Sequence, residues 1–316
     1  MAKLIDKITL GIDVAKDQLV ICQWGAEERI TVSNQPAAIA AWLATLYGPV
    51  RIAIEPTSHY HLAVVEAALA KGYEVYPVNP RQLAHYRQAV NLRHKSDPHD
   101  AWLLARFLAH EAAQLRPFRP QDRRAQRLWA LLTRRATVVQ SRQQLQQSLA
   151  EVRLSIQALL TQFKHLLQRL DQQIQCLIRE LGWWPDYQRC LSIPGIGPAN
   201  AAALVAAYHR GAFAGSDAFV AYLGLDIRLC ESGRFKGKRK LTKRGEPEVR
   251  RLLYCGTRAA CNHPRFAAYR QRQLDKGLSK IAARVALARK LARIAFTLIN
   301  QQESFATEQK TYCVAP

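Results

Sequence analysis

The 316-residue sequence contains no apolar run of transmembrane length and no signal peptide, so we expect neither a membrane-spanning nor a secreted protein. Its seven cysteines are scattered, odd in number and include no C-x-x-C pair, which argues against a zinc ribbon and for a reducing compartment. The motif Gly-x-x-x-x-Gly-Lys-Ser/Thr of P-loop ATPases is absent. There is no zinc finger and no clear recognition helix either, so the chain gives little evidence of a domain dedicated to reading sequence.

Acidic residues are scarce in this chain. It has 24 Asp and Glu against 46 Lys and Arg, which gives a formal net charge of +22. This excess is too large for an ordinary small-molecule enzyme and indicates a polyanionic partner, most simply nucleic acid rather than a membrane. A chain of this length predicts two domains, each able to bury a core.

Residues 1–114 alternate between strand and helix patterns. The predicted strands are 8–13, 18–24, 28–33, 50–55 and 73–78, and the predicted helices are 35–47, 59–71, 80–90 and 98–112. The first three strands follow one another too closely for intervening helices, so we expect an antiparallel meander. A meander followed by strand, helix and strand is the pattern of an α/β ribonuclease H-like (RuvC-like) domain, in which the first and fourth strands lie side by side.

Four acidic residues stand at suggestive places in this segment. Asp13 ends the first strand, Glu55 ends the fourth, and Asp97 and Asp100 open the last helix on one helical face. Carboxylates gathered at one sheet edge repel one another unless divalent cations join them. The pattern therefore predicts a hard-metal site. The alternative is that each acid is a turn or helix-cap residue.

The middle of the chain predicts one long helix. Residues 115–122 contain two prolines and resemble a linker, and residues 122–181 carry apolar side chains at alternating spacings of four and three. This repeat favours a coiled coil, intramolecular or dimeric, over a helix packed only on its own domain. The repeat comprises Leu145, Leu149, Val152, Ile156, Leu159, Phe163, Leu166 and Leu170.

Residues 182–300 predict a mainly helical domain, followed by a tail at 301–316. The domain opens with a helix-hairpin-helix-like turn, Leu-Ser-Ile-Pro-Gly-Ile-Gly-Pro-Ala at 191–199. Gly195 and Gly197 would expose the backbone where the next helix begins, and a helix N-terminus suits a phosphate. The alternative is a tight helix-helix turn with no ligand.

The strongest run of positive charge follows that turn. It is punctuated by glycines, so we expect a flexible loop that follows a phosphate backbone, although a charge run is usually a solvated face. Ser232 lies within the run beside a glycine, where it would be open to a phosphodiester, although a loop serine ordinarily has no catalytic role. The basic residues are Arg228, Arg234, Lys236, Lys238, Arg239, Lys240, Lys243, Arg244, Arg250 and Arg251.

Five motifs in this order resemble the DEDD transposases of the IS110 family of bacterial insertion sequences, to which the Piv and MooV invertases also belong. They are G-I-D-V-A-K at 11–16, I-E-P-T at 54–57, K-S-D-P-H-D-A at 95–101, I-P-G-I-G at 193–197 and E-S-G at 231–233. The resemblance implies a metal-binding tetrad, a nucleophilic serine in a C-terminal transposase domain, and a bridge RNA that pairs with donor and target DNA. It assigns these roles to Asp13, Glu55, Asp97, Asp100 and Ser232. Ser58, Thr242 and Glu246 depart from the family's common pattern.

The two sites together predict a DNA recombinase. A covalent phosphoserine keeps the phosphodiester energy, so strands can be rejoined without ATP, and two Mg²⁺ ions would activate the hydroxyl. We expect a cytoplasmic, nucleoid-associated enzyme that forms a homodimer or tetramer through the coiled coil. The alternatives are a RuvC-like junction nuclease in which water is the nucleophile, a protein-directed invertase of the Piv type, and a non-catalytic nucleic-acid-binding scaffold.

Overall fold

A computed structural model describes residues 7–56, 59–92, 97–120, 122–150, 152, 154–228, 231–232, 235–237 and 239–306. The chain forms two compact units, residues 1–120 and 121–316. Among the described residues, no helix combines the length and the apolar composition that crossing a membrane requires.

The first unit is built on a five-stranded mixed sheet. The strand order is β3-β2-β1-β4-β5, with β1 antiparallel to β2, β2 antiparallel to β3, and β1, β4 and β5 mutually parallel. The meander and the pairing of the first strand with the fourth are therefore confirmed. The strands are β1 Ile8–Val14, β2 Gln18–Gln23, β3 Arg29–Ser33, β4 Val50–Ile54 and β5 Glu74–Pro77.

Helices cover the two faces of this sheet. On one face, α1 (Pro36–Ala44) and α2 (Leu62–Ala70) bury the even-numbered residues of β1 and β4. On the other face, α3 (Pro80–Ala89) and α4 (Asp97–Glu111) pack over Ala53, and a short 3₁₀ turn follows at Ala112–Gln114. Side chains alternate between faces along a strand, so the odd-numbered positions turn toward α3 and α4.

Gly11 lets α4 lie directly on β1. A Cβ at this position would overlap the carbonyl oxygen of Ala101 and the amide nitrogen of Ala105. No residue other than glycine fits beneath the helix without displacing its backbone. The helix turn that follows Asp100 is thereby fixed against the strand that carries Asp13.

The second unit begins with two helices instead of one. The prediction of a continuous helix over 122–181 is wrong: α5 (Arg123–Ala150) and α6 (Gln157–Glu180) form an antiparallel hairpin. Arg135 Nη2 lies 3.1 Å from Asp171 Oδ2, and Arg124 Nη1 donates to the carbonyl oxygen of Glu180 at 3.3 Å. The segment 151–156 contains neither proline nor glycine and continues the apolar repeat, so the sequence carries no signal for the turn.

The remaining helices of the second unit enclose one core. Leu128 of α5, Ile178 of α6, Leu204 of α8 and Leu291 of α12 are all buried in it. A small β-ribbon interrupts the helices with strands β6 Ile227–Arg228, β7 Glu231–Ser232, β8 Phe235–Lys236 and β9 Lys240–Leu241. The helices are α7 Trp184–Leu191, α8 Pro198–Tyr208, α9 Ser216–Tyr222, α10 Pro247–Ala260, α11 Pro264–Asp275 and α12 Lys280–Gln301.

Candidate active site

Three of the four predicted acids line one cleft in the first unit. Asp13 is the penultimate residue of β1, Glu55 directly follows β4, and Asp100 lies in the first turn of α4. The parallel register pairs Ile12 with Ile54, so Asp13 and Glu55 are the next positions on neighbouring strands. The cleft has a volume of about 320 Å³ and is lined by Asp13, Glu55, Pro80, Leu83, Ala84, Arg87 and Asp100.

Asp100 has a cationic partner that the sequence did not indicate. Its carboxylate forms an ion pair with Arg87, which reaches it from α3. Asp100 is only 8 % exposed, and a buried carboxylate without a counter-charge is costly. The ion pair therefore stabilises Asp100 where α3 and α4 meet.

The donor atoms of the cleft suit a hard divalent cation. Carboxylate oxygens are the ligands that Mg²⁺ and Ca²⁺ prefer. Within the described part of the chain, no three His, Cys, Asp or Glu side chains approach closely enough to share an ion. Asp97 begins α4, and its side chain lies outside what the structure describes. A metal at Asp100 would neutralise the carboxylate charge that the Arg87 guanidinium neutralises in this structure.

Ser232 lies on the basic ribbon of the second unit. In the register of β7 and β8, Ser232 stands opposite Phe235 and Glu231 stands opposite Lys236. Ser232 is exposed to solvent. Its side chain is therefore accessible to a polymer the size of DNA. We expected a flexible loop here, but the described residues form two pairs of antiparallel strands.

The base of the ribbon is held by close backbone contacts. A Cβ on Gly224 would lie 2.5 Å from the amide nitrogen of Gly245. Arg250 donates to the carbonyl oxygens of Leu223 and Gly245. Burial lowers the pKa of the Arg250 guanidinium, and the two carbonyl oxygens offset that loss of solvation. These contacts give the ribbon a fixed base, which glycine content alone did not indicate.

The described basic residues near Ser232 differ in their exposure to solvent. Arg250 and Arg251 bind within the unit, since Arg251 pairs with Glu248 through Nε and Nη2 at 2.6 and 2.7 Å. Arg234, Lys238 and the side chain of Lys236 lie outside the described residues. The exposed cations among the described residues are Arg228, Arg239, Lys240, Lys243 and Arg244.

The two glycines of the predicted helix-hairpin-helix-like turn have different surroundings. Gly195 has a φ of +90°, and a Cβ there would lie 2.6 Å from the carbonyl oxygen of Gly256 in α10. Gly197 caps the N-terminus of α8, and nothing lies within 4 Å of the position its Cβ would take. Gly195 therefore seats the turn on α10, and the backbone at Gly197 is open to a ligand.

Known proteins resemble both units of this chain. A family model described as "Transposase", the DEDD transposase domain of IS110, matches residues 10–157. A second model, "Transposase IS116/IS110/IS902 family", matches residues 187–271. The first match contains the acidic cleft, and the second contains the glycine turn and the basic ribbon.

Individual relatives extend the likeness over nearly the whole chain. The pilin gene-inverting proteins of Moraxella lacunata and Moraxella bovis are both 26% identical to it, over 324 and 323 residues, or 95% of this chain and 98% of theirs. A probable family 20 transposase of Pseudomonas aeruginosa is 34% identical over 143 residues, which is 43% of this chain and 41% of that protein.

The two matched domains define the class of protein as a DNA transposase or recombinase. The chain belongs to the IS110 family of transposases. DNA is therefore its substrate, and the DEDD domain suggests dependence on a divalent metal.

Proposed function

We propose that this transposase cuts and rejoins DNA through a covalent bond between phosphate and Ser232, with divalent metal bound by the acidic cleft and with a bridge RNA choosing the sites. One observation carries the proposal. Asp13, Glu55 and Asp100 converge on one cleft, and an exposed serine lies on a cationic ribbon in the same chain. An acidic site and a serine on a basic surface are the two components that this chemistry needs.

The topology of the first unit supports a ribonuclease H-like, RuvC-like domain. Its sheet has the order β3-β2-β1-β4-β5, and only β2 runs against its neighbours. The acids lie at the ends of the two central strands, β1 and β4, under the start of α4. This placement suits a nuclease centre at a sheet edge.

Asp13, Glu55, Asp97 and Asp100 would hold the metal, and two Mg²⁺ ions match four carboxylates. When bound, the metal lowers the pKa of a coordinated hydroxyl and stabilises the charge of a phosphoryl transition state. Leu83 and Ala84 line the same cleft beside the acids. The role of the four acidic side chains is to hold the metal where the reaction requires it.

Ser232 supplies the oxygen that attacks phosphorus. The Oγ atom forms one P–O bond while the bond from phosphorus to a deoxyribose oxygen breaks, and the proton of the hydroxyl passes to the leaving oxygen. One phosphodiester is exchanged for another, so rejoining needs no ATP. The ribbon cations, Arg239 and Lys240 among the described residues, bind the DNA backbone around the serine.

In this proposal, the bridge RNA selects the DNA sequences that are cut and joined. The second unit contributes exposed cations and the open helix N-terminus at Gly197, and these groups recognise phosphates rather than bases. Base pairing with a bridge RNA would supply the specificity, with the cations Arg234, Lys236, Lys238, Lys243 and Arg244 and the turn at Gly195 assisting backbone binding.

Assembly would use the α5–α6 hairpin. Leu159 and Leu166 are 42 and 43 % exposed on α6 and lie seven residues apart, which places both on one side of the helix. Two exposed leucines at this spacing suit the seam of an intermolecular coiled coil. We therefore propose a homodimer or tetramer, in which Ser232 can serve an acidic cleft of its own chain or of another copy.

The relatives named for pilin gene inversion favour a second candidate. They match 95% of this chain. A protein-directed invertase would use the same cleft and the same serine and would need no RNA. The two candidates differ only in how the DNA sites are chosen.

The test is a denaturation-resistant protein–DNA adduct. Wild-type protein with donor DNA, target DNA, bridge RNA and Mg²⁺ should form it, and peptide mapping should locate it at Ser232. Ser232→Ala should lose the adduct and retain RNA binding. Ser148→Ala, an exposed serine of α5, is the matched control and should behave as wild type.

The experiment tests each part of the proposal separately. Asp13→Asn, or EDTA with the wild type, should abolish cleavage, and full cleavage in either would exclude the metal centre. An adduct at another residue would exclude the serine, and cleavage without any adduct would indicate a junction nuclease. Joining that proceeds without RNA would identify a protein-directed invertase.

A further inference from the structure

The ion pair between Arg87 and Asp100 is a single contact, as is the pair of Arg189 with Asp186, whereas some arginine–carboxylate pairs of the second unit are forked. Arg135 contacts Asp171 through both Nε and Nη2, and Arg251 contacts Glu248 in the same forked way. Such forks fix two side chains in one geometry.

Arg87 makes no such fork with Asp100. The contact runs from Nη2 to Oδ1, and the Nε atom of Arg87 is buried without a hydrogen-bond partner among the described residues. The Arg87 side chain is only 17 % exposed. A single contact holds Asp100 less rigidly than a fork would.

The position of Arg87 gives a reason for this arrangement. It lines the same cleft as Asp13, Glu55 and Asp100. In the absence of metal, the carboxylates repel one another, and the guanidinium neutralises part of that charge. A divalent ion that binds Asp100 through both carboxylate oxygens displaces this contact, because the ion and Nη2 then compete for Oδ1. The freed guanidinium then remains in the cleft, where a phosphodiester is the next available anion.

We propose that Arg87 is an exchangeable counter-cation of the acidic cleft: it holds Asp100 in the metal-free protein, releases this carboxylate to a divalent metal, and then positions the scissile phosphate. This inference rests on the proposed metal centre. Arg87 therefore competes with the metal but assists the reaction. Removing it should strengthen metal binding and weaken cleavage, whereas removing a merely structural link would weaken both.

The experiment measures Mn²⁺ binding to the full-length protein without nucleic acid, by calorimetry in mildly alkaline buffer where carboxylates are ionised. Arg87→Gln should bind Mn²⁺ at least about tenfold more tightly, the scale on which one neighbouring charge alters a carboxylate's affinity for a cation. Arg87→Lys keeps the charge without the planar guanidinium, and its affinity should fall between wild type and Arg87→Gln. At saturating Mg²⁺, Arg87→Gln should cleave DNA more slowly, and Arg87→Lys should recover part of the rate.

Arg81→Gln is the matched control. It removes the same charge from the same helix, but Arg81 is exposed and does not line the cleft, so Mn²⁺ affinity should stay at the wild-type value. If Arg87→Gln fails to fold, the comparison of Arg87→Lys with wild type decides. Equal or weaker Mn²⁺ binding by the folded Arg87 variants overturns the inference. If the wild type binds no Mn²⁺, or if its Mn²⁺ binding does not depend on Asp13, the proposed metal centre is overturned instead.

Discussion

The two units of this transposase use charge in opposite ways. The first 120 residues contain 13 Lys and Arg against 11 Asp and Glu, whereas the rest of the chain contains 33 against 13. The first unit is therefore close to neutral, and four of its charged residues line one cleft where position matters. The second unit carries nearly all of the positive excess, much of it on an exposed ribbon.

This difference predicts how each unit responds to substitution. A buried, convergent charge interacts strongly because its surroundings have a low dielectric constant, so one change removes the function. Exposed charges act additively on a polyanion, so one change removes a fraction of the binding. Substitutions in the two units should therefore differ in size and in kind.

The largest effect is expected at Gly11. Gly11→Ala places a methyl group on the backbone of α4, and we expect destabilisation of about 3 kcal/mol or more from this overpacking, together with loss of cleavage. Denaturant unfolding and a cleavage assay measure the two effects. Gly215→Ala is the control from the second unit, since its Cβ meets only open space and its extended backbone suits any residue. Equal stability of Gly11→Ala and wild type would mean that α4 is not seated through this glycine.

Gly11 also shows a limit of prediction from the sequence. The predicted order of the sheet places Asp13 and Glu55 side by side, and the register of β1 with β4 confirms that geometry. The requirement for glycine at position 11 comes from a helix almost a hundred residues later, which no local pattern indicates. The pairing of Arg87 with Asp100 was missed for the same reason. An arginine on a helix is ordinarily an exposed residue.

The hairpin of α5 and α6 shows a second limit. The apolar spacing predicted helical structure correctly, but it could not locate the turn between the two helices, because the repeat continues through residues 151–156. Turns are recognised from proline, glycine and short polar residues, and this segment contains only one serine. In the ribbon, glycines suggested mobility, whereas Gly245 is required by close backbone packing against Leu223.

Assembly should depend on the exposed leucines of the hairpin. Leu159→Glu combined with Leu166→Glu places two like charges in the proposed seam, and we expect the oligomer to dissociate to monomers by sedimentation equilibrium. Leu62→Glu in the first unit is the control, because Leu62 is 46 % exposed and should tolerate the same change. A double variant that remains assembled and active would place the oligomer contact elsewhere.

A smaller, graded effect is expected on the ribbon. Replacing Arg239 and Lys240 with Ala removes two exposed cations, so the slope of log affinity against log salt should decrease by about two. Filter binding over a range of salt concentrations measures it with any duplex DNA. Arg135→Ala is the control, since Arg135 is paired with Asp171 within the unit. If both variants have the same slope as wild type, the ribbon is a solvated face that contacts no phosphate.

The smallest effect is expected at His209, which lies just beyond α8 in the second unit. Its ring stacks on Trp183 with a centroid distance of 4.2 Å, and its Nε2 lies 2.9 Å from Asp186 Oδ2. Burial lowers the pKa of His209, and the hydrogen bond with Asp186 opposes this only in part. The unfolded chain therefore takes up this proton first as the pH falls through 6.5, so the contribution of His209 to stability decreases toward acidic pH.

His209→Gln keeps a hydrogen-bonding side chain that does not titrate, so its Tm should fall less than that of wild type between neutral and mildly acidic pH. We expect a difference of about 2 °C or less, since a single partly solvated group is involved. A steeper acid dependence in His209→Gln would show that the protonated ring is the favoured form, with the ion pair to Asp186 outweighing burial. Burial would then not dominate the behaviour of this charged group in the second unit, as it does for the charges in the cleft of the first unit.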